Sequence, residues 1–407
     1  MAEIGKQNSR KILIAEDDPV SLRILETILS KWGYEVICAT DGKEAWEEFQ
    51  NDREIQIIIS DWMMPNTDGP ELCHLVRNAE NRPYTYFILL TAKTMTEDIV
   101  QGMEAGADDF VTKPFNQNEL RVRIRAGVRV VNLENQLEDK IDELTLAYDR
   151  IKSDLKAAAA IQQSMLPATD QNFPSLKYSW YYMPSSDLGG DLFNLVKLNE
   201  TLSAIYIYDV SGHGVPAALQ SVALGRFITP YDPHSSLLVK HKENNKPDLL
   251  IPPSEIIKMV NSRFRFAVSR GDFITLLYGI FDSAQRTFTF SRAGHPSPIH
   301  ISGGKISDIG DEGGIPIGII PDYPFVEHTI KLEHGDRLFF FTDGIIEAPN
   351  PEGRMFGEAA MRDYLQTTAN LELNESLNSL LKEISTWQNG EEPSDDMSIL
   401  AVETVFE

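Results

Sequence analysis

At 407 residues the chain exceeds the size at which a single hydrophobic core keeps growing, so at least two domains are expected. Its apolar fraction of 42% and charged fraction of 24% are those of ordinary soluble proteins, and its longest apolar run, Phe273 to Phe281, is too short for a membrane span. A formal net charge of −24 without clustered Lys and Arg excludes nucleic-acid binding, and two cysteines, Cys38 and Cys73, behind an N-terminus without an apolar signal core point to the cytoplasm.

From Lys11 to about Val128 short apolar runs alternate with amphipathic segments: KILIA, YEVICA, IQIIIS, YFILLT and DDFVT, each followed by a helical pattern. Five strands alternating with helices predict a doubly wound parallel α/β sheet over residues 10–128, with any ligand at the carboxyl ends of the strands. Polar residues stand at those ends: Glu16, Asp17 and Asp18 after the first strand, Asp61 after the third, Thr91 after the fourth and Lys113 after the fifth. The first and third strands are neighbours in this topology, which brings the first acidic group beside Asp61. Crowded carboxylates repel one another and want a hard cation, for which Mg²⁺ is suited. Lys113 and Thr91 supply a positive charge and a hydroxyl donor for a phosphoryl group on Asp61.

Through EDDP, SDWMMPNTDG, LLTA and FVTKPF, this part of the chain resembles the response-regulator receiver family over roughly the first 125 residues. The resemblance implies Glu16 and Asp17 as the acidic pair, Asp61 as the phosphorylated aspartate and Met63 as a backbone-carbonyl ligand of Mg²⁺. It makes Thr91, Phe110 and Lys113 the switch residues; Asp18 aligns just past the acidic pair, where a helix cap is the simpler reading.

Between Val130 and Gln163 there is neither Pro nor Gly, and apolar residues recur at Val130, Leu133, Leu137, Ile141, Leu144, Tyr148, Ile151, Leu155 and Ala158. The three- and four-residue steps predict a helical coiled-coil linker over residues 129–165, joining two chains in a homodimer; a helix packed on its own domain is the alternative. The successive four-residue steps from Leu133 to Leu137 to Ile141 form a stutter that locally unwinds the supercoil.

Residues 166–407 change texture, with β-rich runs TLSAIYIYDV, DFITLLYGIF, RTFTFSRAG, DRLFFFTDG and MSILAVETV. Helical patterns appear only at Pro216–Phe227, Pro253–Phe266 and Glu375–Trp387. An α+β domain of stacked antiparallel sheets flanked by helices is expected, with Asp232–Pro252 as a long surface loop. Aspartates stand at strand ends or in Gly turns: Asp187 and Asp191 in SDLGGDLFN, Asp209 in YDVSGHG, Asp343 in FTDGIIEA, Asp395 and Asp396 in PSDDMS. Converging carboxylates without His or Cys at ligand spacing favour Mn²⁺ or Mg²⁺ over zinc, and two such ions suit phosphate-ester hydrolysis.

These motifs, with AAIQQSMLP before them and SRAGHPSP between them, resemble the SpoIIE-like branch of the metal-dependent type 2C (PPM) serine/threonine phosphatases over about residues 157 to 404. The resemblance implies that Asp191, Asp209, the Val210 carbonyl, Asp343 and Asp395 hold two Mn²⁺ or Mg²⁺ ions, with Asp396 a further ligand beside Asp395. Gly189, Gly190, Gly212 and Gly214 would let the backbone turn beside the metals, while His213 and His295 follow glycines and read as structural. No Arg stands where the eukaryotic members clamp phosphate.

Together the two resemblances imply a two-component response regulator. A histidine kinase or phosphotransfer protein would phosphorylate Asp61, and a metal-dependent phosphatase would act on a phosphoprotein, an anti-sigma-factor antagonist in a partner-switching pathway. The alternative is a catalytically weak receiver–phosphatase adaptor acting by protein binding, which loss of the metal-ligand carboxylates would mark. A nucleotide cyclase would need a base pocket that the sequence does not offer.

Overall fold

The computed structural model describes residues 10–92, 102–168, 171–212, 214–228, 239–240, 249–264, 273–310 and 313–406. The chain divides into two compact units, Met1–Arg150 and Ile151–Glu407. No helix among the described residues is long and apolar enough to cross a membrane.

In the N-terminal unit, β1 (Lys11–Ala15), β2 (Glu35–Ala39), β3 (Ile57–Asp61), β4 (Tyr86–Thr91) and β5 (Asp109–Thr112) form one parallel sheet in the order β2-β1-β3-β4-β5. Its two faces are both buried: Leu13, Ala15, Ile58, Phe87 and Leu89 enter one core, and Ile12, Ile14, Ile57, Ile59, Ile88 and Leu90 the other. Burial on both sides is why the inner strands β1, β3 and β4 read as nearly unbroken apolar runs. Helices α1 (Pro19–Lys31), α2 (Gly42–Asn51) and α3 (Gly69–Arg77) each begin after an aspartate, and Asp18, Asp41 and Asp68 accept the backbone N–H three residues on.

One uninterrupted helix then runs from Gln117 to Gln163. Its first turns belong to the N-terminal unit's core, where Leu120, Ile124 and Val131 are fully buried. From Leu133 the apolar positions Leu137, Ile141, Leu144, Tyr148 and Ile151 are exposed, so helix formation there rests on propensity and i,i+4 contacts rather than on core packing within this chain.

The C-terminal unit contains two five-stranded antiparallel sheets. The first has the order β15-β12-β11-β8-β7 and is made from β7 (Leu192–Lys197), β8 (Leu202–Val210), β11 (Ile274–Asp282), β12 (Thr287–Ala293) and β15 (Glu327–Lys331). The second has the order β14-β13-β16-β17-β6, from β6 (Leu176–Met183), β13 (Ile299–Ser302), β14 (Lys305–Ser307), β16 (Arg337–Phe341) and β17 (Met397–Thr404). Alternation decides the layers: Leu338, Phe340, Leu400 and Val402 pack toward the first sheet, with Phe340 edge-on to Phe288 at 5.6 Å between ring centroids. Phe339, Phe341, Ile399 and Ala401 face the other way, onto helices Glu358–Thr367 and Leu373–Gln388. Helices Val215–Ile228 and Pro253–Arg263 contribute Leu224, Ile228, Ile256, Ile257 and Val260 to the first sheet's core.

The stacked sheets flanked by helices expected from the sequence are therefore present. The segment Asp232–Pro252, expected as a surface loop, contains a short antiparallel pair, β9 (Val239–Lys240) with β10 (Leu249–Leu250); residues 229–238 and 241–248 lie outside the described ones.

Candidate functional site

In the N-terminal unit, pairing of Ala15 with Ser60 brings Glu16, just past β1, beside Asp61 at the end of β3. Ligand oxygens of Glu16, Asp17 and Asp61 lie within 4.8 Å of one another. Lys113, just after β5, is oriented by its N–H donating to the Thr91 carbonyl at 2.7 Å, and its ammonium donates to Glu16 Oε2 at 2.7 Å and contacts Asp61 Oδ1 at 2.9 Å. Burial pushes the Glu16 carboxyl up against the pull of the Lys113 hydrogen bond. For Lys113 burial acts downward, but its bonds to Glu16 and Asp61 prevail and the ammonium is held more strongly than usual.

One Glu16 oxygen, Oε1, is buried with no hydrogen-bond partner. Such an orphaned acceptor in an acidic group fits a divalent cation. Thr91 is buried at the end of β4, Phe110 is half-buried on β5, and the Met63 side chain is exposed two residues past Asp61. Asp18 stands apart as the cap of α1. The glycine of SDWMMPNTDG has a steric reason: a Cβ on Gly69 would lie 2.3 Å from the Asp61 carbonyl.

In the C-terminal unit five aspartates converge from the two sheets. Asp209 is the penultimate residue of β8, Asp191 immediately precedes β7, Asp343 opens the helix Asp343–Ile346 after β16, and Asp395 and Asp396 precede β17. The Asp209 carboxyl is raised by burial and by the charges of Asp343, Asp395 and Asp396, with a bond to Asp191 acting the other way. Burial, Asp209 and Asp396 raise Asp191 well above the usual carboxylate range; burial and Glu347 raise Asp343. Among the described residues these carboxylate oxygens are spread more widely than those of Glu16, Asp17 and Asp61.

The five are not equivalent. Asp191, 2% exposed, is oriented through one oxygen, which accepts the hydroxyls of Thr342 at 2.7 Å and Ser398 at 2.6 Å. Both oxygens of Asp396 are already engaged: Oδ1 accepts Ser185 N–H at 2.7 Å and its hydroxyl at 3.0 Å, and Oδ2 accepts the N–H groups of Gly190 at 2.5 Å and Asp191 at 3.3 Å. Asp395, half-buried, accepts the Asp396 N–H at 2.8 Å. Asp187 is exposed. Val210 is buried at the end of β8, and its carbonyl would lie 2.5 Å from a Cβ on Gly190.

The four glycines act in two ways. Gly212 and Gly214 adopt positive φ, 91° and 77°, whereas Gly189 and Gly190 are needed for close approach. His295 is buried, bonded through Nδ1 to the Thr275 hydroxyl at 2.8 Å, and kept neutral by burial and the nearby Arg292, with a pKa lowered to about 3. Arg292 itself donates to the carbonyl of His295 and to that of Gly310. His213 lies outside the described residues. The hydroxyls on Asp191 were legible in principle, since Thr342 and Ser398 sit inside the FTDG and DDMS motifs; Gln162 sits inside AAIQQSMLP, a motif that does not say what its side chain bonds, and Ser185 lies just outside SDLGGDLFN.

Comparison with known proteins matches the two parts of the chain to two families. Residues 199–405 match the family model described as Stage II sporulation protein E (SpoIIE), and residues 12–125 match that of the response regulator receiver domain. A probable transcriptional regulator, ycf27, of Cyanophora paradoxa is 43% identical over 122 residues, which are 30% of this chain and 49% of that protein; the chain thus spans about half the length of this curated relative. Among solved structures, the SiaA-PP2C domain of Pseudomonas aeruginosa aligns with a TM-score of 0.53 and 20% identity over 64% of this chain and 99% of that one, a likeness of fold. The chemotaxis protein CheY4 of Vibrio cholerae aligns at 32% identity over 29% of this chain and 98% of that one, with a TM-score of 0.28.

Proposed function

Because the chain belongs to the SpoIIE family and also carries a response regulator receiver domain, we propose that it is a phosphorylation-controlled, metal-dependent protein serine/threonine phosphatase. The observation that carries this reading is the convergence of Asp191, Asp209, Asp343 and Asp395 from both sheets, where the largest influences on Asp209 are burial and other carboxylates. Like charges gathered in this way are a site for cations. Asp191, Asp209, Asp343, Asp395 and the Val210 carbonyl would hold two Mn²⁺ or Mg²⁺ ions, which when bound clamp a phosphate and make a hydroxide available at neutral pH. Thr342 and Ser398 fix one Asp191 oxygen and would thereby orient the carboxylate as a ligand.

Asp396 does not join that shell in our reading. With four donors on its two oxygens it anchors the loop Ser185–Asp191 beneath the site. His295, neutral and bonded to the residue paired with Asp209 on the next strand, supports β8 and takes no part in proton transfer.

In the receiver, Glu16, Asp17, Asp61 and the Met63 carbonyl would hold Mg²⁺ while a histidine kinase or phosphotransfer protein phosphorylates Asp61. Lys113 and Thr91 would then bind the phosphoryl oxygens, and Phe110 would change its burial. The exposed seam Leu137, Leu144 and Ile151 would join two chains in a homodimer and carry the signal through the linker. The domains are 10–128, 129–165 and 166–407. The substrate is a phosphoprotein, by family likeness an anti-sigma-factor antagonist, and the acidic chain meets it without nucleic acid, in the cytoplasm. The adaptor reading is disfavoured by the retained carboxylates.

The test is manganese-dependent release of phosphate from a phosphoprotein panel, with and without acetyl phosphate. Turnover that needs Mn²⁺ and shifts with acetyl phosphate is expected; no turnover with any divalent cation would leave the adaptor.

A further inference from the structure

The last turn of the long helix, in the C-terminal unit, reaches the loop that carries Asp191. Gln162 is 3% exposed although its type is usually at the surface. Its amide Nε2–H donates to the Gly189 carbonyl at 2.7 Å, and its Oε1 accepts the Gly189 N–H at 3.4 Å. Both bonds fall on one residue, so the side chain grips Gly189 at both ends, as a neighbouring strand would.

The other side of the same loop is closed. A Cβ on Gly189 would lie 2.5 Å from Asp396 Oδ2 and 2.6 Å from the Tyr182 hydroxyl, and the Gly190 and Asp191 N–H groups both point at Asp396 Oδ2. Residues 189–191 are therefore clamped between Gln162 and Asp396, and the clamped segment ends on Asp191. Three residues past Gln162, the Met165 carbonyl accepts the Asn194 amide at 2.7 Å, so β7 is tied to the chain at the same helix end.

We infer that Gln162 is a positioning residue for the metal site: by holding Gly189 it sets the placement of Asp191, so that the helix end is a built part of the ion-binding shell. The inference rests on the dinuclear site proposed above. Residues that orient a ligand from behind typically change metal affinity by about 10- to 100-fold when replaced. A buried Gln that only satisfied its own polar atoms would alter fold stability and leave metal affinity alone.

Two variants of the full chain separate these roles. Gln162→Met keeps the length and removes both bonds; Gln162→Asn keeps the amide and falls short of Gly189. For each, Mn²⁺ binding is measured by calorimetry, melting is compared in EDTA and in Mn²⁺, and hydrolysis of p-nitrophenyl phosphate is followed against Mn²⁺ concentration. Either folded variant should bind Mn²⁺ about 10-fold or more weakly, lose most of the Mn²⁺-induced rise in melting temperature, and recover most of its kcat when Mn²⁺ is raised. Folded variants that bind Mn²⁺ within about 2-fold of the parent chain would overturn the inference. Asp209→Asn is the control for the underlying reading: if it too binds Mn²⁺ as the parent does, the dinuclear site is misplaced and the inference falls with it.

Discussion

Adjacent Asp395 and Asp396 should fail in opposite ways when each is replaced by Asn. Asp396 accepts four hydrogen bonds at 2.5 to 3.3 Å, three of them from backbone N–H groups of Ser185, Gly190 and Asp191. In Asp396→Asn one oxygen becomes an NH₂ group, which must face either Ser185 or the pair Gly190 and Asp191 and turns acceptance into donor–donor repulsion. Hydrogen bonds to a charged group are worth about 1.5–3 kcal/mol each, and orphaned buried donors cost about 1–3 kcal/mol. Two such losses total about 4 kcal/mol, and removing a charge that raises Asp191 and Asp209 returns part of it. A net destabilisation of about 3 kcal/mol corresponds to a fall in melting temperature of about 6–12 °C for a unit of this size. Asp395→Asn keeps an oxygen for the bond from Asp396 N–H and leaves the four bonds on Asp396 in place, so its melting temperature in EDTA should fall less than that of Asp396→Asn. That variant should instead lose Mn²⁺ binding. Calorimetric melting in EDTA with Mn²⁺ titration of both variants decides the matter. The assignment is refuted if Asp396→Asn melts like the parent and fails only in metal binding.

Asp209→Ala or Asp343→Ala should each abolish Mn²⁺-dependent phosphate release while circular dichroism shows a folded chain; turnover retained in both would move the site elsewhere. Asp61→Ala should block labelling by acetyl phosphate and remove its effect on the phosphatase rate, leaving basal turnover intact. Leu144→Asp combined with Ile151→Asp places charges at positions 70% and 59% exposed in the single chain. In a paired seam each unpaired buried charge costs about 3–5 kcal/mol, so light scattering should show monomers with both domains folded, and a dimer that still responds to beryllofluoride would make the helix a passive spacer. The fifth concerns pH in EDTA: the unfolded Asp carboxyl titrates near ~3.9, whereas Asp209 in the fold is pushed up to about 7. The folded chain therefore binds more protons between those values, so this contribution to stability is full at low pH and is lost as pH rises through about 7. Comparison with Asp209→Asn isolates it from His295, whose depressed pKa acts oppositely; an unchanged pH slope in that variant would contradict the cause.

Strands buried on both faces were the most legible elements. KILIA, YFILLT and the RLFFF of DRLFFFTDG are apolar but for one residue each and became β1, β4 and β16. Of the strands that sequence reading passed over, β15 is EHTIK, with alternate residues exposed at a sheet edge, β14 is KIS, and β6 mixes Lys and Ser with four aromatics, whereas β7 (LFNLVK) and β13 (IHIS) are largely buried but short and broken by polar residues. The helix Glu358–Thr367 was missed because only Met361 and Leu365 are fully buried, too few positions for a clear period.

What the sequence by itself determined was the set of motifs and their order. Carboxylates at strand ends, a lysine before proline and glycines at positive φ are local requirements that each motif carries within a few residues. Which carboxylates are tied down by hydrogen bonds was decided only by the tertiary structure. Asp395 and Asp396 are indistinguishable as letters, because both stand just before the same strand. Their surroundings diverge because a loop some two hundred positions earlier turns its N–H groups toward Asp396. Gln162 acquires meaning for the same reason: a polar residue in a helix has many partners to choose among, and only packing against Gly189 selects one. Hydrogen bonds between segments distant in sequence have no period, and a motif names at most one of the two partners, so they become visible only once the sheets are stacked.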